Sequence, residues 1–126
     1  ALGEVFMAPL PVRLWDQKYR EPDVFFVKTG SPEIDGYPDG ADLVIEVVSD
    51  DPSSRRRDTV AKVADYARAK IPEYWLVDRR EQNIQVGILR DGGYKFQQFG
   101  CGETARSQLL QEFPVSVADL LSFSAP

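Results

Sequence analysis

The 126-residue chain has no histidine and a single cysteine, Cys101. Without histidine there is no Ser-His-Asp or Cys-His couple and no His-bearing zinc site. Metal chemistry would have to use oxygen ligands, which favours magnesium, manganese or calcium. One cysteine closes no internal disulfide, which fits a reducing, cytoplasmic setting. Cys101 lies between Gly100 and Gly102 with no imidazole to activate it, so it is a poor nucleophile candidate. No apolar run approaches the roughly 20 residues that span a bilayer, and no signal-peptide pattern opens the sequence. The glycine-rich pieces lack the spacing of a P-loop or dinucleotide fingerprint.

What remains is ordinary for one soluble domain over residues 1–126, with 43% hydrophobic and 28% charged residues. A net charge of −5 argues against a nucleic-acid-coating role. The charge is uneven, however. Between positions 50 and 70, Arg55, Arg56, Arg57, Lys62, Arg68 and Lys70 outnumber Asp50, Asp51, Asp58 and Asp65. Such a stretch suits either a solvated helix face or a basic surface beside an acidic site.

Local patterning gives an α/β class with a mixed sheet. Short strands are expected at Gly3 to Pro9 and Val12 to Trp15, then at 23–27 after the restrictive Pro22. Thr29 to Gly40, rich in Gly, Pro, Ser and Asp, reads as a loop. A buried strand over 42–48 precedes a helix from Arg55 to about Lys70, with Ser53 or Ser54 as N-cap. Val60, Val63, Ala64 and Ala67 form its apolar stripe. Glu73 to Asp78 completes a βαβ crossover, with Asp78 as its cap or turn. A hairpin follows, Ile84 to Leu89 and Tyr94 to Phe99 around Arg90-Asp91-Gly92-Gly93. Leu109 to Leu121 reads as a last strand and a short helix at Val115 to Leu121. Trp15 and Trp75 are expected in the core or an interface. One long helix is thin cover for a sheet with parallel strands, which points to missing helical sequence or to a dimer.

Glu46 is the anomaly. On the strand Leu43-Val44-Ile45-Glu46-Val47-Val48 it shares a face with Val44 and Val48. A carboxylate among valines is costly unless it is paired, protonated or metal-bound. Asp42 lies on the same face but about 13 Å away, at ~3.3 Å per residue, so it reads as a strand-entry residue. Asp23 opens another strand. If the two strands pair, about 5 Å apart, Asp23 and Glu46 can share a hard divalent cation, with the Val47 carbonyl as a third oxygen ligand.

Asp58, Lys62 and Tyr66 follow at i, i+4 and i+8 on the helix, off its apolar stripe. They read either as a solvated Asp–Lys pair with an amphipathic tyrosine, or as a cation reaching over the strand end towards Glu46. Arg55, Arg56 and Arg57 in the first turn offer phosphate-binding charge next to free N–H groups, or a solvent-facing arginine cluster.

Four separated pieces agree with one known pattern. They are Arg20-Glu21-Pro22-Asp23, then 42–49, then Asp58-x-x-x-Lys62-x-x-x-Tyr66, then Ile71-Pro72-Glu73-Tyr74-Trp75-Leu76-Val77-Asp78. Their order and spacing resemble the Uma-type family of the PD-(D/E)XK nuclease superfamily, whose assignment as restriction endonucleases rests on analogy. The resemblance implies a restriction-endonuclease-like fold with a central crossover helix. It also implies Mg²⁺- or Mn²⁺-dependent endonucleolytic hydrolysis of DNA by a metal-activated water, with a second copy as partner in a homodimer. Asp23 and Glu46 would be the motif acids. Val48 stands where the motif lysine is expected, and Lys62 looks like its migrated replacement. Asp58 and Tyr66 would be supporting residues. The family pattern has further helical sequence before this chain's first residue, so an N-terminally shortened domain is expected. The alternative is a catalytically inactive nuclease-like module for DNA binding, regulation or dimerisation.

Overall fold

In a computed structural model, residues 3–48, 52–110 and 114–116 are described; for 52–58 and 114–116 this is the backbone path alone. The first strands are β1 (Gly3–Met7), β2 (Val12–Trp15), β3 (Lys18–Arg20) and β4 (Val24–Lys28). Two short strands, β5 (Glu33–Ile34) and β6 (Tyr37–Pro38), precede β7 (Leu43–Val47). The helix α1 (Pro52–Arg68) leads to β8 (Glu73–Asp78), then β9 (Asn83–Arg90) and β10 (Gly93–Gly100). Last come β11 (Thr104–Arg106) and β12 (Pro114–Ser116).

Six strands form one mixed sheet in the order β1-β4-β7-β8-β9-β10. Only β7 and β8 run parallel; α1 connects them as the expected crossover. Alternation along the strands makes two apolar layers. On one face Phe25, Val27, Val44, Tyr74 and Leu76 pack with Val12, Leu14 and Tyr66. On the other, Phe26, Leu43, Trp75, Val77, Ile84 and Val86 pack with Ala105. Trp75 is thus core, whereas Trp15 is half-buried under Arg68, whose guanidinium carbon lies 4.0 Å from the ring centroid.

The termination of α1 follows from its sequence. Lys70 adopts a left-handed φ of 60°. Ile71 N–H then donates to the Tyr66 carbonyl at 3.1 Å and Lys70 N–H to that of Ala67 at 3.0 Å. This is a Schellman motif with lysine where glycine is commoner, and the buried Ile71 supplies its hydrophobic contact. Pro72 prevents continuation.

Several local expectations change. The helix begins at Pro52, upstream of both Ser53 and Ser54, because proline suits the first helical position. The segment Thr29–Gly40 is not a plain loop but contains the β5–β6 hairpin. Its turn, Asp35-Gly36, has φ of 54° and 82°, the conformation a two-residue hairpin turn demands. Leu109 and Leu110 form a turn rather than a strand. The terminal strand is Pro114–Ser116, paired with β11, where the helix was expected to begin; residues 117–121 lie outside the described set. No helix among the described residues is long and apolar enough to cross a membrane.

Candidate active site

Glu46 stands near the C-terminal end of β7, opposite Leu76 on β8. It is 4% exposed, between Val44 and Val48 on the helix-covered face. Two side chains from α1 reach it. Lys62 Nζ donates to Oε2 at 3.1 Å and the Tyr66 hydroxyl donates to Oε1 at 3.0 Å. The i, i+4 spacing on α1 thus sets a cation and a phenol over the strand end. Of the competing readings, the solvated Asp–Lys pair does not describe Lys62, which is engaged by a buried acid. Asp58, Arg55, Arg56 and Arg57 belong to the first turns of α1, and their side chains lie outside the described residues.

Asp23 precedes β4, which pairs with β7 through Val24 opposite Ile45. One residue further, this register sets Asp23 against Glu46. The Asp23 carboxylate caps the strand end, Oδ2 accepting the Val47 N–H at 2.7 Å. Asp42 does what its position suggested: its Oδ2 accepts the Lys28 N–H at 2.8 Å at strand entry. Asp78 likewise closes its turn, accepting the Glu81 N–H at 3.0 Å.

The electrostatics pull against each other. Burial raises the Glu46 carboxyl above its ordinary range and the charge of Asp23 adds to this, while Lys62 and Tyr66 oppose it. Burial and the adjacent Glu46 push the Tyr66 phenol upward, so it remains a donor. A carboxylate so placed is short of positive charge.

Glu46, Lys62 and Tyr66 line a cleft of about 610 Å³ together with Tyr19, Arg20, Glu21, Pro11 and Tyr37. Five of these, Pro11, Tyr19, Arg20, Glu21 and Tyr37, are not among the site residues expected from the sequence. Arg20 is fixed from α1, Nε donating to Asp65 Oδ2 at 2.8 Å while Nη2 lies 2.6 Å from the same oxygen. Desolvation would raise Asp65, but Arg20 and Lys18 outweigh it and hold the carboxyl below its usual value. Tyr37 had a sequence signal in Asp35-Gly36. The Arg20–Asp65 pair spans 45 residues and had none.

No group of three or more His, Cys, Asp or Glu side chains poised for a metal occurs among the described residues. From the described residues, a cation held here would take two carboxylates at most and complete its shell with backbone oxygen, water or substrate.

The comparisons agree with this architecture. A solved structure described as "a putative nuclease belonging to DUF820 from Anabaena variabilis ATCC 29413" superposes with a TM-score of 0.74 at 18% identity. The match covers 96% of this chain and 69% of that one, and at such identity it establishes the shared fold. No curated protein gives a significant match. The Uma2 family model, described as "Putative restriction endonuclease", matches residues 1–120. With nearly the whole chain matched by that model, the chain belongs to the Uma2 family.

Proposed function

We propose that this chain is a metal-dependent endonuclease domain that hydrolyses DNA phosphodiester bonds with an activated water. The observation that carries the reading is Glu46, a 4%-exposed carboxylate on a cleft wall, bridged by Lys62 and Tyr66. Family membership supports it. So does the donor set, which fits Mg²⁺ or Mn²⁺: hard oxygens, a carboxyl raised by burial, and Asp23 opposite in register.

Asp23, Glu46 and the Val47 carbonyl would hold the cation. When bound, it would acidify a water and offset the charge developing on the phosphate. Tyr66 fixes the rotamer of Glu46 by holding Oε1. Lys62, a donor to Oε2, acts by orienting the water and the phosphate oxygen rather than as a base, since its proton-bearing nitrogen faces a carboxylate. Arg55, Arg56 and Arg57 would meet phosphates further along the strand, with Asp58 in support. The reading includes a homodimer, for which Val5 and Met7 on β1, 66% and 41% exposed, are the apolar surface to examine. The direct test is scission of supercoiled plasmid and of a single-stranded DNA circle by the full chain. Open circles or linear strands are expected with Mg²⁺ or Mn²⁺ and none with EDTA; absence of scission of both DNAs at saturating metal and excess enzyme counts against the reading.

Lys62→Met separates catalysis from a merely structural ion pair. Lys62 lowers the Glu46 carboxyl against the larger effect of burial, so its loss lets that carboxyl rise further. The folded-state value is raised, so the active carboxylate form grows in as pH increases through it. The acid limb of the rate profile should move to higher pH in Lys62→Met. The rate on its plateau should fall about 10²- to 10³-fold. A variant that loses melting temperature but keeps the wild-type plateau and limb would make Lys62 structural.

A further inference from the structure

The rim of the cleft is aromatic, and it is built from two hairpins that the proposed chemistry does not use. Tyr19 on β3 and Tyr37 on β6 meet edge to face, ring centroids 5.5 Å apart and planes at 71°. Both are 37% exposed, although large aromatic rings normally bury their faces. The hairpins carrying them are tied together: Arg13 Nη1 donates to Asp39 Oδ1 at 2.8 Å and the Gly40 N–H to the Arg13 carbonyl at 2.7 Å. The two rings are therefore held at the cleft, not loosely displayed. Arg20 lines the same cleft, with two of its three guanidinium nitrogens fixed by Asp65.

We propose that this cleft takes a single DNA strand, with an unstacked base seated against Tyr19 and Tyr37 and the adjoining phosphate met by Arg20. The proposal rests on the nuclease reading for its substrate class and adds the state of the strand. Three features point to it. The acid is recessed to 4% exposure, whereas the phosphates of an intact duplex lie on a convex exterior. A volume of about 610 Å³ falls in the range of sites that enclose nucleotide-sized ligands. Exposed tyrosines beside an arginine match the way strands without a partner are held, by stacking and charge rather than by base-edge hydrogen bonds.

The test is fluorescence anisotropy on the full chain with a labelled oligonucleotide, single-stranded or annealed to its complement, in Ca²⁺ and again in EDTA. Wild type should bind the single strand at least ten-fold tighter than the duplex. Tyr19→Leu and Tyr37→Leu should each weaken single-strand binding, between about five-fold and a hundred-fold for a lost stacking partner. Tyr19→Phe and Tyr37→Phe should restore it, since the ring and not the hydroxyl stacks. Equal or tighter duplex binding, or leucine variants that are folded and bind like wild type, would overturn the proposal. Glu46→Gln keeps the rim intact. Tyrosine-dependent single-strand binding by that variant and equally by a wild type that cleaves no DNA at saturating Mg²⁺ would sink the nuclease reading and leave this one standing. Duplex cleavage indifferent to both rings would do the reverse.

Discussion

Glu46→Ala is expected to abolish metal-dependent nicking, with a loss of at least about 10³-fold, because several kcal/mol of charge stabilisation is withdrawn and each 1.36 kcal/mol is tenfold. The same substitution should remove the rise in melting temperature that Mg²⁺ or Mn²⁺ gives the wild type, since a ligand stabilises only the state that binds it. Alanine alone is an imperfect probe. It strips the acceptor from the buried Tyr66 hydroxyl, at a cost of about 1–3 kcal/mol, so lost activity alone does not separate lost chemistry from lost structure. Glu46→Gln resolves this. The amide oxygen still accepts from Tyr66 and the volume is unchanged; the amide nitrogen cannot accept from Lys62, but that ammonium is 33% exposed and can turn to water, and the desolvation cost of the buried charge disappears. Glu46→Gln should melt within a few degrees of wild type and be as inactive as the alanine variant. If it cleaves within ten-fold of wild type, the reactive centre lies elsewhere.

The site was legible where local periodicity carries it. Alternation on β7 singled out Glu46, and the four-residue spacing on α1 set Lys62 and Tyr66 on one side. Asp23 needed one assumption, that its strand pairs with β7, and the observed Val24–Ile45 register supplies it. The rim was not legible for two reasons. β3 and the β5–β6 hairpin are two or three residues long, below the length at which alternation can be recognised. Composition then misled: glycine, proline and aspartate read as a loop, when Asp35-Gly36 between Ile34 and Tyr37 is a hairpin turn. Arg20 belonged to a noticed motif, but its role depends on Asp65 across the fold. Long-range pairs of this kind come from tertiary packing and leave no spacing to read.

The inference that a buried strand carboxylate marks chemistry meets its control in Glu73. It lies on β8, the parallel neighbour of β7, and is 1% exposed. Its side chain points to the opposite face, alongside Trp75. Three N–H donors surround it: Trp75 Nε1 at 2.7 Å from Oε2, and the Gln108 and Leu109 amides at 2.9 and 3.1 Å from Oε1. Donors fixed in indole and backbone hold a carboxylate permanently and leave it nothing to do. Glu73→Ala strands all three, each costing about 1–3 kcal/mol when buried. It also unfastens the turn that brings Leu109 and Leu110 onto the second core layer. A destabilisation of about 3–5 kcal/mol is expected, a large part of the ~5–15 kcal/mol that holds a domain together. Thermal and urea melts should register it, and metal should not rescue it beyond the shift seen in wild type. In the cold, where the variant is still folded, metal binding should be intact because Glu46, Lys62 and Tyr66 lie on the other side of the sheet. A melting temperature within a few degrees of wild type would mean that water replaces the carboxylate and that Glu73 is not the fastening. What separates the two buried glutamates is thus the mobility of their partners: Glu73 is held by immovable N–H groups, Glu46 by a lysine and a phenol on a cleft that a substrate can enter.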